Sequence, residues 1–281
     1  MSYRDHLNSR APRHSARTLH PKSRIAILAM ILVSLLAVFL VFYIKGQEEV
    51  VHTDPITLCP TDRPPSEVVV LLLDMSDVFS EPQRLKIRNE FDRLKGSMSR
   101  FSLIEAYVVD RLEQRVTKPV VHLCNPGTGS DLNRIYQNPD LARKKWDGFV
   151  RQLDAELQRL MDTPESPTSA IFEAVQASAL RTFNRPDYDG LPKRLVIVSD
   201  LLQNVPGKLS QYEGIVPFQQ FQHSAYFSEI RADLTGVAVT LLYLVRPRAP
   251  QKWPDHYLFW EEYFRAQGAT VERLEPVHGA Q

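Results

Sequence analysis

The sequence has almost no net charge and few residues that signal a particular chemistry. Its 34 Lys and Arg nearly balance its 33 Asp and Glu, so a net charge of +1 gives no reason to expect a nucleic-acid partner. The eight histidines are scattered and do not have the spacing of metal ligands. Neither the G-x-S-x-G nor the H-E-x-x-H signature of hydrolases occurs. These absences favour a protein that is not an enzyme.

Cysteine is also scarce, and the two that occur are Cys59 and Cys124. An even number of cysteines is compatible with one disulfide if the domain is exported to an oxidising compartment. The alternative is two buried thiols that do not pair.

One long hydrophobic run stands out against this background. Residues Ile25 to Ile44 carry no charge, and at about 1.5 Å per residue a helix of this length spans the ~30 Å hydrocarbon core. The run is longer than the apolar part of a cleaved signal peptide, and no small-residue cleavage site follows it. It therefore predicts an uncleaved signal-anchor helix over residues 25–44, rather than a signal peptide or a buried core helix.

Charges on the two sides of this run predict its orientation. Six basic residues and one acidic residue precede Ile25, whereas Glu48 and Glu49 follow the run. This asymmetry places a basic tail, residues 1–24, in the cytoplasm. A proline-containing stalk, residues 45–65, and a globular domain, residues 66–281, then lie outside it. In a Gram-negative cell this arrangement corresponds to a single-pass inner-membrane protein with a periplasmic domain.

Within the globular domain, short apolar runs alternate with segments of helical periodicity. This alternation predicts an α/β fold with a doubly wound, mostly parallel six-stranded sheet that has helices on both faces. The third strand follows a tight charged reversal and contains Pro119, so we expect it to be an antiparallel edge strand. The predicted strands are Ser66–Asp74, Phe101–Asp110, Val116–Cys124, Arg194–Asp200, Gly236–Val245 and Thr270–Leu274. The predicted helices are Glu81–Ser97, Pro139–Met161, Ser169–Phe183, Phe218–Leu234 and Asp255–Gln267.

Two of these strands end in a carboxylate. Asp74 ends the first strand and is followed by Ser76, while Asp200 ends the fourth. Open α/β sheets bind ligands at the carboxyl ends of their strands, and hard divalent cations prefer oxygen ligands of this kind. The alternative is that both acids only cap helices or accept backbone N–H groups.

At this point the chain resembles the von Willebrand factor A-type (integrin I-like) domain family, over roughly residues 66–275. In that family a D-x-S-x-S loop, a Thr from a second loop and an Asp after the fourth strand hold a divalent cation in a metal-ion-dependent adhesion site. The resemblance implies that Mg²⁺ or Mn²⁺ is the cofactor. By position, the implied ligands are Asp74, Ser76, Ser169 (with Thr168 as its rival) and Asp200. The second Ser of the family falls on Val78, with Asp77 and Ser80 nearby.

The resemblance also implies how the cysteines pair. In such a sheet the antiparallel third strand ends beside the start of the first strand. Cys124 ends the predicted third strand, and Cys59 lies shortly before the first. A Cys59–Cys124 disulfide is therefore expected.

Three functions follow as hypotheses. The leading one is a membrane-anchored protein–protein interaction module whose partner is another protein of an envelope or membrane complex. The second is a structural scaffold without metal, which Val78 favours. The third is a periplasmic phosphoester hydrolase, because the run Leu73-Asp74-Met75-Ser76 resembles the D-x-D loop of haloacid-dehalogenase-type phosphatases. Ser76 stands where those enzymes have their general acid, which argues against hydrolysis.

Overall fold

The computed structural model describes residues 21–46, 51–76, 78–109, 119–129, 138–162, 168–246, 251 and 254–279. The chain divides into two compact units, Met1–Val50 and Val51–Gln281. In the first unit, helix α1 (Pro21–Gly46) contains an apolar segment, Ile25–Tyr43, with a mean hydropathy of 3.2. This segment is long and apolar enough to cross a membrane, and its side chains are exposed, as expected of a helix that faces lipid.

The second unit contains a mixed sheet of six strands in the order β3-β2-β1-β4-β7-β8, in which β3 is antiparallel to β2 and the other neighbours are parallel. The predicted fold class is therefore confirmed. The strands of this sheet are β1 (Val68–Asp74), β2 (Leu103–Val109), β3 (Val121–Cys124), β4 (Lys193–Ser199), β7 (Val237–Val245) and β8 (Thr270–His278). A separate hairpin consists of β5 (Asn204–Val205) and β6 (Leu209–Ser210).

Helices cover both faces of the sheet, and β1 shows why the chain folds this way. Its side chains alternate between two apolar cores, with Val68 packing on one face and Val69 on the other. Residues 68–73 are completely buried, as a continuous apolar run in a parallel sheet requires. Helices α4 (Ile171–Ser178) and α7 (Asp255–Ala266) cover the Val68 face, and α2 (Glu81–Ser97) and α3 (Pro139–Met161) cover the Val69 face.

Several predicted elements have the expected bounds. Helix α2 begins after Ser80 and α3 spans Pro139–Met161, as predicted. Where a helix over Ser169–Phe183 was predicted, the observed α-helix α4 begins two residues later, at Ile171. It is followed by a π-helical turn, Ala179–Phe183. A short 3₁₀ turn, Pro186–Tyr188, then leads to β4.

Two other predictions were wrong in detail. The predicted helix Phe218–Leu234 is two short helices, α5 (Phe218–Phe221) and α6 (Ala225–Glu229). Ser224 is extended and its side chain accepts a hydrogen bond from the Phe227 N–H, so it caps a new helix instead of continuing the first. The third strand begins at Val121 rather than Val116; residues 116–118 lie outside the described residues.

Residues 51–65, predicted to be part of a stalk, contact the sheet. Thr53 pairs with Pro60, and the Thr57 carbonyl accepts a hydrogen bond of 2.8 Å from the N–H of Cys124. A disulfide joins Cys59 to Cys124, whose Cα atoms are 4.7 Å apart, which is the expected pairing. This segment is thereby attached to the edge strand β3.

We expect the Cys59→Ser/Cys124→Ser double variant to be less stable than the wild type by about 4 kcal/mol, because the bridge constrains a long loop in the unfolded chain. The two cysteines are 65 residues apart. Urea unfolding without reductant measures the difference. The wild type treated with reductant serves as the control and is expected to resemble the variant. An unchanged unfolding midpoint would contradict the expectation.

Candidate functional site

The candidate site lies where β1 and β4 end side by side. Leu73 pairs with Val198 in parallel register, so Asp74 and the segment Ser199–Asp200 follow at the same edge of the sheet. Neighbouring strands are about 4.8 Å apart. The topology thus brings the two predicted acids to one place, at the carboxyl ends of the strands.

The carboxylate of Asp74 accepts hydrogen bonds from three directions. Ser169 Oγ donates to Oδ2 at 2.8 Å, and Ser199 Oγ donates to the same oxygen at 2.6 Å. The Ser76 N–H donates to Oδ1 at 3.0 Å. Asp74 is only 2% exposed, and burial raises the pKa of its carboxyl group above the ordinary value, although these hydrogen bonds oppose the rise.

Ser169 is held in place by its own backbone. Its N–H donates to the Asn204 carbonyl at 3.1 Å, and the Asn204 N–H donates to the Ser169 carbonyl at 2.8 Å. This short antiparallel bridge links the segment before α4 to the β5–β6 hairpin. Of the two candidates for the hydroxyl position, Ser169 is completely buried and contacts Asp74, whereas Thr168 is partly exposed.

Asp200 sits in a tight turn after β4. Its Oδ1 accepts a hydrogen bond from the Leu202 N–H at 2.9 Å, and the Leu201 N–H donates to Ser199 Oγ at 2.8 Å. Leu201 has a φ of 60°, a left-handed conformation that is uncommon for a residue other than glycine. The turn aims the carboxylate of Asp200 at the edge of the sheet, where it is 1% exposed.

Two aromatic side chains of α7 hold the carbonyl of Leu201. Trp260 Nε1 donates to it at 2.9 Å, and His256 Nε2 lies 3.1 Å from it. Trp260 Nε1 also lies 3.2 Å from His256 Nε2, and Nδ1 lies 2.8 Å from the Tyr243 hydroxyl. The contact of Nε2 with a carbonyl oxygen favours the tautomer that carries its proton on Nε2, in which Nδ1 accepts from Tyr243. Burial lowers the pKa of His256 to about 4, although its hydrogen bond to Leu201 opposes the shift, so the ring is neutral at physiological pH.

A guanidinium group faces the second acid. Arg246 follows β7, and its Nε lies 3.7 Å from Asp200 Oδ2. Its Nη1 donates to the carbonyl of Val78 at 3.1 Å. The Val78 side chain is 59% exposed, and Ser76 is partly buried. Asp77 lies outside the described residues.

The structure therefore brings Ser169 into contact with Asp74, which also accepts the backbone N–H of Ser76, and places Asp200 at the end of the adjacent strand. Their role as metal ligands stays a prediction. Within the described ranges, no group of three or more His, Cys, Asp or Glu is placed to hold a metal ion.

Sequence reasoning missed two residues of this site, Ser199 and Arg246. Ser199 directly precedes Asp200, and Arg246 directly follows β7. The signal that could have found both is their position, because the ends of parallel strands share one edge of a sheet.

Comparisons with known proteins identify no family. No family model and no curated protein matches the chain. Among solved structures, the conserved hypothetical protein BatB from Bacteroides thetaiotaomicron is 12% identical with a TM-score of 0.39, over 76% of this chain and 91% of that chain. An aerotolerance-related membrane protein from Bacteroides fragilis NCTC 9343, crystallised with multiple mutations to serine, is 11% identical with a TM-score of 0.34, over 75% of this chain and 91% of that one. Likenesses this distant say nothing about what this chain binds.

The buried His256 makes the domain sensitive to acid. Its pKa is about 4 in the folded protein, below the ordinary value of 6.5. As the pH falls below 6.5, His256 therefore binds a proton in the unfolded chain but not in the folded protein. Stability is then lost progressively between about pH 6.5 and pH 4.

We expect His256→Gln to reduce the loss of stability between pH 7 and pH 4.5 by about 2 kcal/mol relative to the wild type, because a glutamine does not titrate. Urea unfolding at each pH measures this. The matched control is His223→Gln, at an exposed histidine, which is expected to keep the wild-type pH profile. Parallel profiles for wild type and His256→Gln would refute the assignment.

Proposed function

We propose that this chain is a membrane-anchored protein–protein interaction module with a von Willebrand A-like domain outside the cytoplasm, and that it binds its partner at the edge formed by Asp74, Ser169 and Asp200. The partner is another protein of an envelope or membrane complex. The observation that carries the proposal is the convergence of two carboxylates from adjacent strands with the Ser169 hydroxyl on Asp74.

The anchor and its orientation are part of this proposal. Helix α1 supplies a segment able to cross a membrane, and the basic residues before it orient the N-terminus to the cytoplasm. The disulfide between Cys59 and Cys124 supports an oxidising compartment for the domain, such as the periplasm.

The proposal includes a divalent cation, Mg²⁺ or Mn²⁺, as the cofactor of this site. The donor chemistry of the site suits it, because Asp74, Ser76, Ser169 and Asp200 offer only oxygen ligands. A cation beside the buried Asp74 carboxyl would offset the desolvation that raises its pKa. When bound, the metal would supply an open coordination position for a carboxylate of the partner.

Binding is a better proposal than phosphoester hydrolysis at Asp74. A nucleophilic carboxylate must touch the reacting atom of its substrate itself, whereas Asp74 is 2% exposed and a partner would contact it only through a bound cation. Its Oδ2 already accepts two hydroxyl hydrogen bonds. Ser76 also stands where the hydrolases that the loop resembles have an acid.

The partner test uses a photo-crosslinking amino acid in the intact membrane. With the crosslinker at Val78, whose side chain is 59% exposed beside the site, we expect a discrete crosslinked protein that mass spectrometry identifies. The matched control is Leu180, which is 66% exposed on the turn that follows α4. Equal labelling of the same proteins from both positions, or none from Val78, would speak against the proposal.

The metal test is a thermal melt of the chain with Mg²⁺ or Mn²⁺. A bound ion raises the melting temperature by mass action, and a concentration 100 times the dissociation constant adds about 2.7 kcal/mol. We expect Asp74→Asn and Asp200→Asn to abolish the rise, and Ser169→Ala to reduce it more than Thr168→Ala does. If millimolar metal leaves the wild-type melt unchanged, a scaffold without metal is the better description.

A further inference from the structure

The guanidinium of Arg246 joins the two loops that form the candidate site. Its Nε lies 3.7 Å from Asp200 Oδ2, and its Nη1 donates to the carbonyl of Val78, in the loop after β1, at 3.1 Å. The Arg246 side chain is 17% exposed and that of Asp200 is 1% exposed. A positive charge this close to a buried carboxylate attracts it electrostatically without any metal.

The backbone of Arg246 is fixed next to Asp200. Its N–H donates to Gln251 Oε1 at 2.8 Å, and Gln251 Nε2 donates both to the Asp200 carbonyl at 2.8 Å and to the Leu244 carbonyl at 2.9 Å. One glutamine side chain therefore ties the end of β7 to the end of β4. The hydrogen bonds of Gln251 therefore hold the backbone of Arg246 close to Asp200.

Val78 completes the argument. By the resemblance, this position is where a hydroxyl ligand of the metal is expected, but valine has no oxygen on its side chain. The carbonyl oxygen of the same residue accepts the hydrogen bond from Arg246. The loop position where the resemblance implies a metal ligand therefore contacts a guanidinium group through its backbone.

We propose that Arg246 is the resident cation of this site and that it competes with a divalent cation for Asp200. The inference rests on the proposed function and deepens it, since it concerns the same site. A divalent cation that binds Asp200 must either displace the guanidinium group of Arg246 or bind more weakly because the two positive charges repel each other. Arg246 therefore sets the metal affinity of the site.

The test measures Mn²⁺ binding to the purified full-length chain in detergent, by calorimetry and by loss of the free Mn²⁺ signal in electron paramagnetic resonance. We expect Arg246→Gln and Arg246→Met to bind Mn²⁺ at least tenfold more tightly than the wild type. Adding Asp200→Asn to either variant is expected to remove the gain. The matched control, Arg231→Gln, removes the same charge from an exposed residue and should leave the affinity unchanged.

Several results would overturn the inference. One is equal Mn²⁺ affinity in the wild type and both Arg246 variants, including no binding by any of them. Another is a gain that survives Asp200→Asn, or one that Arg231→Gln reproduces. Two substitutions of Arg246, by Gln and by Met, are used so that the result does not depend on one variant that misfolds. A thermal melt without metal shows whether each variant is folded. Crosslinking from Val78 is a separate readout, so the partner proposal can stand when this inference fails, and the reverse also holds.

Discussion

Burial of the Asp74 carboxylate is the constraint on which the site depends. Both faces of β1 are covered by helices, so a charged group at its end has little access to water and must find hydrogen bonds within the protein. Ser199 supplies one from the adjacent strand and Ser169 supplies another from the segment before α4. The same two contacts tie three separate parts of the chain together, so the carboxylate organises the edge of the sheet.

The second acid is compensated in a different way. Oδ1 of Asp200 accepts from the Leu202 N–H, and Oδ2 lies near both the Tyr212 hydroxyl at 3.5 Å and the guanidinium of Arg246 at 3.7 Å. Its orientation depends on the left-handed backbone of Leu201, whose carbonyl is held by Trp260 and by the neutral His256. The aromatic helix α7 therefore does more than fill the core, because it fixes the turn that carries Asp200.

The sequence was sufficient for the sheet but not for all of the site. Continuous apolar runs predicted β1 and β4, and the acidic residue at the end of each run identified Asp74 and Asp200. A buried strand that ends in an acid can be recognised from the order of residues alone. Arg246 was not identified, because its contacts are with Asp200 and Val78, 46 and 168 residues away in sequence. The break at Ser224 was also missed, since helical periodicity continues across it while the local cap at Ser224 ends the helix. Hydrophobic periodicity predicts neither the contacts between loops that are distant in sequence nor the residue that caps a helix.

The position of the disulfide bears on how the site is presented. Cys124 pairs with Leu103 at the start of β2, so the Cys59 bridge lies at the edge of the sheet where β1 and β2 begin. Asp74 lies at the other end of β1, which has seven residues and rises about 3.3 Å per residue. The segment before Cys59 thus joins the domain at the edge opposite the acids. Residues 51–65 therefore contact the domain at the end of the sheet opposite to the edge where a partner is proposed to bind.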